Sequence, residues 1–218
     1  MAEPHPADFW ESHYRAGPVW SGRPNATVVD VVTGLAPGRA LDLGCGEGGD
    51  AVWLARQGWE VTAVDISPTA VARAGEAAAA AGVDVRLVAA DLATWEPDGS
   101  YELVTASFFQ SPVALTRGAV LRRAAARVVP GGQVLVVSHA APPPWAADHG
   151  HDHGGPDRFL SPQDELAELA LTDGWSVVLA ETRAREARGP DGRTAELEDS
   201  VVLLRRVSVP ATTRAVPT

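Results

Sequence analysis

From residue 39 onward, short apolar runs alternate with longer amphipathic stretches. "RALDL" (39–43), "EVTAVD" (60–65), "VDVRLVAAD" (83–91), "YELVTAS" (101–107) and "QVLVVSH" (133–139) read as strands. They are short, rich in valine and bounded by turn formers. Between them, "GDAVWLARQG" (49–58), "TAVARAGEAAAAA" (69–81) and "RGAVLRRAAARVV" (117–129) read as helices. Ser67 and Pro68 supply an N-cap and a first helical position, and Gly82 a C-terminal stop. Pro130-Gly131-Gly132 ends the third of these helices. Ser161-Pro162 with Asp164 gives a capping-box-like start to "QDELAELAL" (163–171). "WSVVLAETRAR" (175–185) and "SVVLLRRV" (200–207) flank the turn formers "GPDGR" and read as an antiparallel hairpin.

Strands alternating with helices predict an α/β domain. The sheet is mainly parallel, with an antiparallel C-terminal hairpin and helices on both faces. The domain is expected over 27–207. It is preceded by a segment (1–26) that holds Phe9, Trp10, Tyr14 and Trp20 without a clear period. The stretch 208–218 is expected to be disordered.

Composition narrows the partners. The formal net charge of -10 opposes a phosphate backbone, so no nucleic-acid partner is expected. No apolar run is long enough to span a bilayer, and the first residues lack a basic-then-apolar leader, so the expected compartment is the cytoplasm. All 18 basic residues are arginine, which removes Schiff-base and P-loop lysine chemistry. Cys45 is the single cysteine, so there is no internal disulfide, and it reads as a small buried residue.

The chemistry gathers at "LDLGCGEGGD" (41–50), between the first strand and its helix. Gly44, Gly46 and Gly49 fit the dinucleotide fingerprint G-x-G-x-x-G. Asp65, about 20 residues further on, can accept from ribose hydroxyls. Three features argue against a pyrophosphate. Asp42 would repel it but suits an ammonium group. The third strand also ends in an acid, Asp91, which can accept from an exocyclic amine. The chain ends in a hairpin where a dinucleotide fold continues with a second parallel half.

"LDLGCGEG", Asp65, "AADL" (89–92) and "VVPGGQVLV" (128–136) together resemble the class I S-adenosylmethionine-dependent methyltransferases. "FWESHYRAGPVWSGRPN" (9–25) resembles a narrower group, the tellurite-resistance and thiopurine-type enzymes of bacteria. The resemblance implies a Rossmann-like seven-stranded sheet and S-adenosylmethionine as cofactor, with S-adenosylhomocysteine as product. It implies that Asp42 with Gly44 and Gly46 faces the methionine end. Asp65 would hold the ribose, Ile66 would pack on the adenine, and Asp91 with Leu92 would meet its amine. Ser107 would line the floor below the methyl group. Arg15 and Trp20 would close residues 1–26 over the cofactor as a lid.

On the acceptor side, Trp10 has no local reason for burial, and "SFFQSP" (107–112) places Phe108 and Phe109 after the fourth strand. These suggest an apolar pocket without a strong acceptor for an amine. His139 ends the fifth strand at the edge where such sheets bind ligands and is a candidate base. The expected function is methylation of a small molecule at a soft nucleophile: a thiol, selenol or tellurium species. Oxygen or nitrogen methylation of a metabolite is the alternative, followed by a non-catalytic cofactor binder and a nicotinamide oxidoreductase. His149, His151 and His153 alternate in "DHGHDHGG" and together could ligate zinc, although the loop offers no rigid element to fix them.

Overall fold

The computed structural model describes residues 4–142, 159–188 and 192–208. Parallel strands β1 (Arg39–Leu43), β2 (Glu60–Asp65), β3 (Val85–Ala89), β4 (Tyr101–Ser107) and β5 (Val128–His139) are joined by β6 (Trp175–Arg188) and β7 (Thr194–Arg206). The seven strands lie in the order β3-β2-β1-β4-β5-β7-β6, with β7 antiparallel to both β5 and β6. The helices are α1 (Pro6–Arg15), α2 (Ala26–Val32), α3 (Gly49–Arg56), α4 (Pro68–Ala81), α5 (Arg117–Ala125) and α6 (Pro162–Leu169).

Successive strand residues feed opposite faces, and each face has its own core. Leu41, Leu43, Val104 and Val136 pack with Leu121, Ala124 and Leu169 of α5 and α6. Ala40, Val61, Ala63, Leu103 and Leu135 pack with Val28, Val32, Ala51 and Leu54 of α2 and α3. Helices therefore cover both faces, as the alternation predicts, and the inner strands are apolar on both sides. Trp59 is buried in the second core and Trp53 packs against it.

Several elements differ from the sequence expectation. Residues 6–15 are a helix, begun by Pro6 at its first turn. Trp10 and Tyr14, four residues apart, share one face, and their burial comes from the domain below rather than from a local apolar stripe. Residues 26–32, read as no element, form α2, capped by the Asn25 side chain, which accepts from Thr27 N. α5 ends at Ala125, not at 129, because 128–132 belong to the edge of β5. The irregularity between Tyr101 and Leu103 absorbs the Pro-Gly-Gly corner. The hairpin strands are longer than expected and pair as far as Arg188 and Thr194. Both expected caps of α4 are present: Ser67 accepts from Ala70 N, and Gly82 adopts a left-handed conformation. The Ser161–Asp164 capping box also forms.

Among the described residues no helix is long and apolar enough to cross a membrane. His149, His151 and His153, and residues 209–218 of the expected tail, lie outside the described residues.

Candidate functional site

The carboxyl ends of the parallel strands open into a cavity of about 960 Å³, where doubly wound sheets place their ligands. Each strand end delivers side chains to it. β1 brings Asp42, the following loop Gly44 to Glu47, β2 Asp65 and Ile66, and the turn after β3 Asp91 and Leu92. The corner after β4 contributes Ser107 to Ser111, and β5 contributes His139. Residues 6–26 form a further wall through Trp10, Tyr14, Trp20 and Asn25.

The glycine loop is shaped by close approaches. A Cβ on Gly44 would stand 2.6 Å from the Phe109 ring, and one on Gly46 would stand 3.0 Å from the Tyr14 hydroxyl. Both glycines also have positive φ, 67° and 52°. The loop is tied to β2 because Gly46 N donates to Asp65 Oδ2 at 2.9 Å, while Ser67 N donates to Asp65 Oδ1 at 2.9 Å.

The electrostatics at this end are one-sided. Asp42 and Asp65 are buried, and Asp50, at the start of α3, is partly buried. None of the three makes an ion pair with an arginine of the described residues. Burial raises the pKa of all three from its ordinary value, and Asp50 and Asp65 push Asp42 further up. Only neutral donors compensate: Thr105 Oγ1 to Asp42 at 2.8 Å and Asn25 N to Asp50 at 2.6 Å. The Ser107 hydroxyl is buried beside Asp50 without a well-formed hydrogen bond. Such a cluster lacks a cation. S-adenosylmethionine fits this donor set: Asp42 and Asp50 suit its ammonium group, Asp65 its ribose hydroxyls, and Ile66 its adenine. The Cys45 thiol is pushed well up by burial and by Asp42 and Asp65, which disfavours a nucleophilic thiolate.

Two glutamates, Glu11 and Glu47, help to fasten the wall formed by residues 6–26. Glu11 of α1 accepts from Ser67 Oγ (2.6 Å), Thr69 N (3.2 Å) and Thr69 Oγ1 (2.7 Å) at the start of α4. These bonds hold its carboxyl down at about 2. Glu47 accepts from the Val19 and Trp20 amides and pairs with Arg73 at 2.7 Å, which also donates to Gly17 O. Above Gly46, Trp20 Nε1 donates to the Tyr14 hydroxyl at 3.2 Å.

The side of the cavity towards β4 and β5 is aromatic. Trp10, Phe108, Phe109 and Leu115 line it, and Trp10 Nε1 donates to Ser111 Oγ at 3.2 Å. Phe108 has a left-handed backbone (φ 51°), strain that fixes the corner. Its ring stacks on His139 with centroids 4.3 Å apart. Gln110 clamps the His139 backbone, its Oε1 accepting from His139 N at 2.9 Å.

The expected site residues therefore converge, with one correction. Arg15 does not line the cavity; its side chain is 74% exposed and pairs with Glu11 at 2.9 Å, one turn back on α1. The helix, absent from the sequence reading, turns it outward. Asp91 is at the rim, where its Oδ1 also accepts from Ala93 N at 2.8 Å and so closes a turn. Sequence reasoning missed Tyr14, Glu47, Asp50, Gln110 and Arg185. Asp50 carried a usable signal, an acid in the first turn after the glycine loop. The others depend on contacts distant in sequence.

Comparison with known proteins bears on this geometry. Residues 40–132 match the family model described as "Methyltransferase domain". A 2-heptyl-1-hydroxyquinolin-4(1H)-one methyltransferase from Mycobacteroides abscessus is 33% identical over 189 residues, covering 78% of this chain and 77% of its own. Several other curated relatives are matched over only 17% to 54% of their length. Among solved structures, one titled for conversion of a disulfide bond into a thioacetal group during echinomycin biosynthesis superposes with a TM-score of 0.71 and 25% identity. That match covers 92% of this chain and 93% of the other. TehB from Haemophilus influenzae superposes with a TM-score of 0.67 at 16% identity, over 92% and 66% of the two chains, and shares the fold.

Proposed function

The chain belongs to the methyltransferase family, with S-adenosylmethionine as cofactor, and we propose that it methylates a small, largely apolar acceptor bound between Trp10 and the Phe108–Phe109 corner. The carrying observation is the cation-deficient cluster Asp42, Asp50 and Asp65 next to that aromatic end of one cavity. When bound, the cofactor supplies a methyl group already activated by its sulfonium. The protein then has to align the acceptor and exclude water. Tyr14 and Trp20 close over Gly46, so residues 1–26 act as a lid on the domain 27–207. Asp91 and Leu92 meet the adenine, and Ser107 lies below the transferred group.

Two acceptor atoms are compatible with this end of the cavity. A thiol, selenol or tellurium species, as in the tellurite-resistance and thiopurine-type enzymes, arrives as a ready nucleophile and needs only the apolar wall. Oxygen needs a base, and His139 at the cavity favours it. The Mycobacteroides relative, named for a hydroxyquinolinone, supports that second reading.

S-adenosylhomocysteine release measured across thiols, selenols, tellurite, phenols and hydroxylated heteroaromatics tests both. Turnover confined to soft nucleophiles supports the first reading, and turnover of hydroxyl acceptors supports the second. No release from any member overturns methyl transfer to this class.

A further inference from the structure

The His139 ring stands over a buried carboxylate that no motif announces. β5 and β7 pair so that His139 lies directly opposite Asp199. Asp199 is fully buried. One of its oxygens, Oδ2, accepts a short hydrogen bond from Arg185 Nε on β6. The other, Oδ1, has no hydrogen-bond partner among the described residues and lies 3.6 Å from His139 Nδ1. That separation is slightly beyond hydrogen-bond length, as is common where catalytic contacts tighten on binding. Arg185 also lies over the Phe108 ring, 5.1 Å from its centroid, and Phe108 stacks on His139. Arg185 and Phe108 thus hold the carboxylate and the imidazole in one assembly. The ionisable groups facing His139 are Asp199 from β7 and Arg185 from β6, with Glu186 also on the cavity wall. The β4 corner against the ring offers only Phe108 and Gln110.

We propose that Asp199 is the positioning residue for His139: its Oδ1 accepts a hydrogen bond from Nδ1–H, Arg185 fixes its other oxygen, and Nε2 is left bare as the base for a hydroxyl acceptor. The proposal rests on the methyl-transfer reading and selects oxygen within it. As the acceptor oxygen bonds to the methyl carbon, its proton passes to Nε2, and the electron pair of the broken carbon–sulfur bond stays on sulfur. The second nitrogen of a working imidazole is held in this way by a carboxylate elsewhere in catalysis.

Two measurements test it. In 15N spectra of the wild-type protein with S-adenosylhomocysteine, the neutral His139 ring carries its proton on Nδ1; a proton on Nε2 overturns the proposal. Asp199→Asn, checked for folding by S-adenosylhomocysteine binding, lowers kcat on a phenolic acceptor by about ten- to a hundredfold. Thiol turnover stays within about twofold. An equal loss on both acceptors, no loss at all, or wild-type turnover of thiols alone each overturns it. Absence of turnover with every acceptor fails the methyl-transfer reading itself, while the tautomer measurement still judges the pair.

Discussion

Asp42 is the residue on which the cofactor reading turns. It is buried with Thr105 as its hydrogen-bond donor and acids as its nearest charges. Asp42→Asn keeps the Thr105 bond and removes charge. It is expected to weaken S-adenosylmethionine binding by roughly tenfold, about 1.4 kcal/mol, in a calorimetric titration. The same change should raise the melting temperature of the ligand-free protein. The pH dependence has a matching sign. An acid whose pKa folding raises binds more protons folded than unfolded, so it removes stability as pH rises from its ordinary value of 3.8 towards the raised one, about 8 for Asp42. The ligand-free protein should therefore melt higher at pH 6 than at pH 8, and saturating S-adenosylmethionine should flatten that slope. Glu11, held low, acts oppositely, but only below its ordinary value of 4.5. Asp42, Asp65 and the glycines were legible because strand, loop and acid are consecutive. Asp199 was not: it meets His139 only through the register of β7 on β5.

At the scale of elements, two polar contacts hold the site together. Glu11 joins α1 to the start of α4, where the free amides of the first turn favour a carboxylate. Glu11→Gln should speed hydrogen exchange over residues 4–25 by roughly tenfold and leave the sheet unchanged. Arg117 joins α5, α6 and β5. It pairs with the buried Glu165 at 2.8 Å, donates to Ser138 Oγ at 2.9 Å beside His139, and donates to Phe109 O at 3.0 Å. Arg117→Ala leaves Glu165 unpaired in the core and should lower unfolding free energy in urea by about 3–5 kcal/mol. The strands, and the caps of α4 and α6, were legible because their signals are local. α1 was not, since its aromatic face gains meaning only against α4 and the glycine loop. The end of α5 was misplaced because 128–129 suit a helix as well as a strand, and pairing with β4 decides.

At the scale of the molecule, charge and shape divide the cavity into two ends. The acids Asp42, Asp50 and Asp65 gather at the glycine loop with Tyr14, Trp20 and Phe109 against its glycines, and Phe108 stacks on His139. The fold class followed from the alternation of elements, and the antiparallel ending separated it from a dinucleotide fold. The acceptor was not legible to the same degree, because methyl transfer from an activated donor demands little residue-specific chemistry.

The most direct test of the cation-deficient site is a calorimetric titration of the protein with S-adenosylmethionine and, separately, with NADH. One site for S-adenosylmethionine is expected, abolished or strongly weakened in Asp65→Ala, with no heat from NADH. Binding of NADH in its place, or S-adenosylmethionine affinity indifferent to both Asp42→Asn and Asp65→Ala, would contradict it.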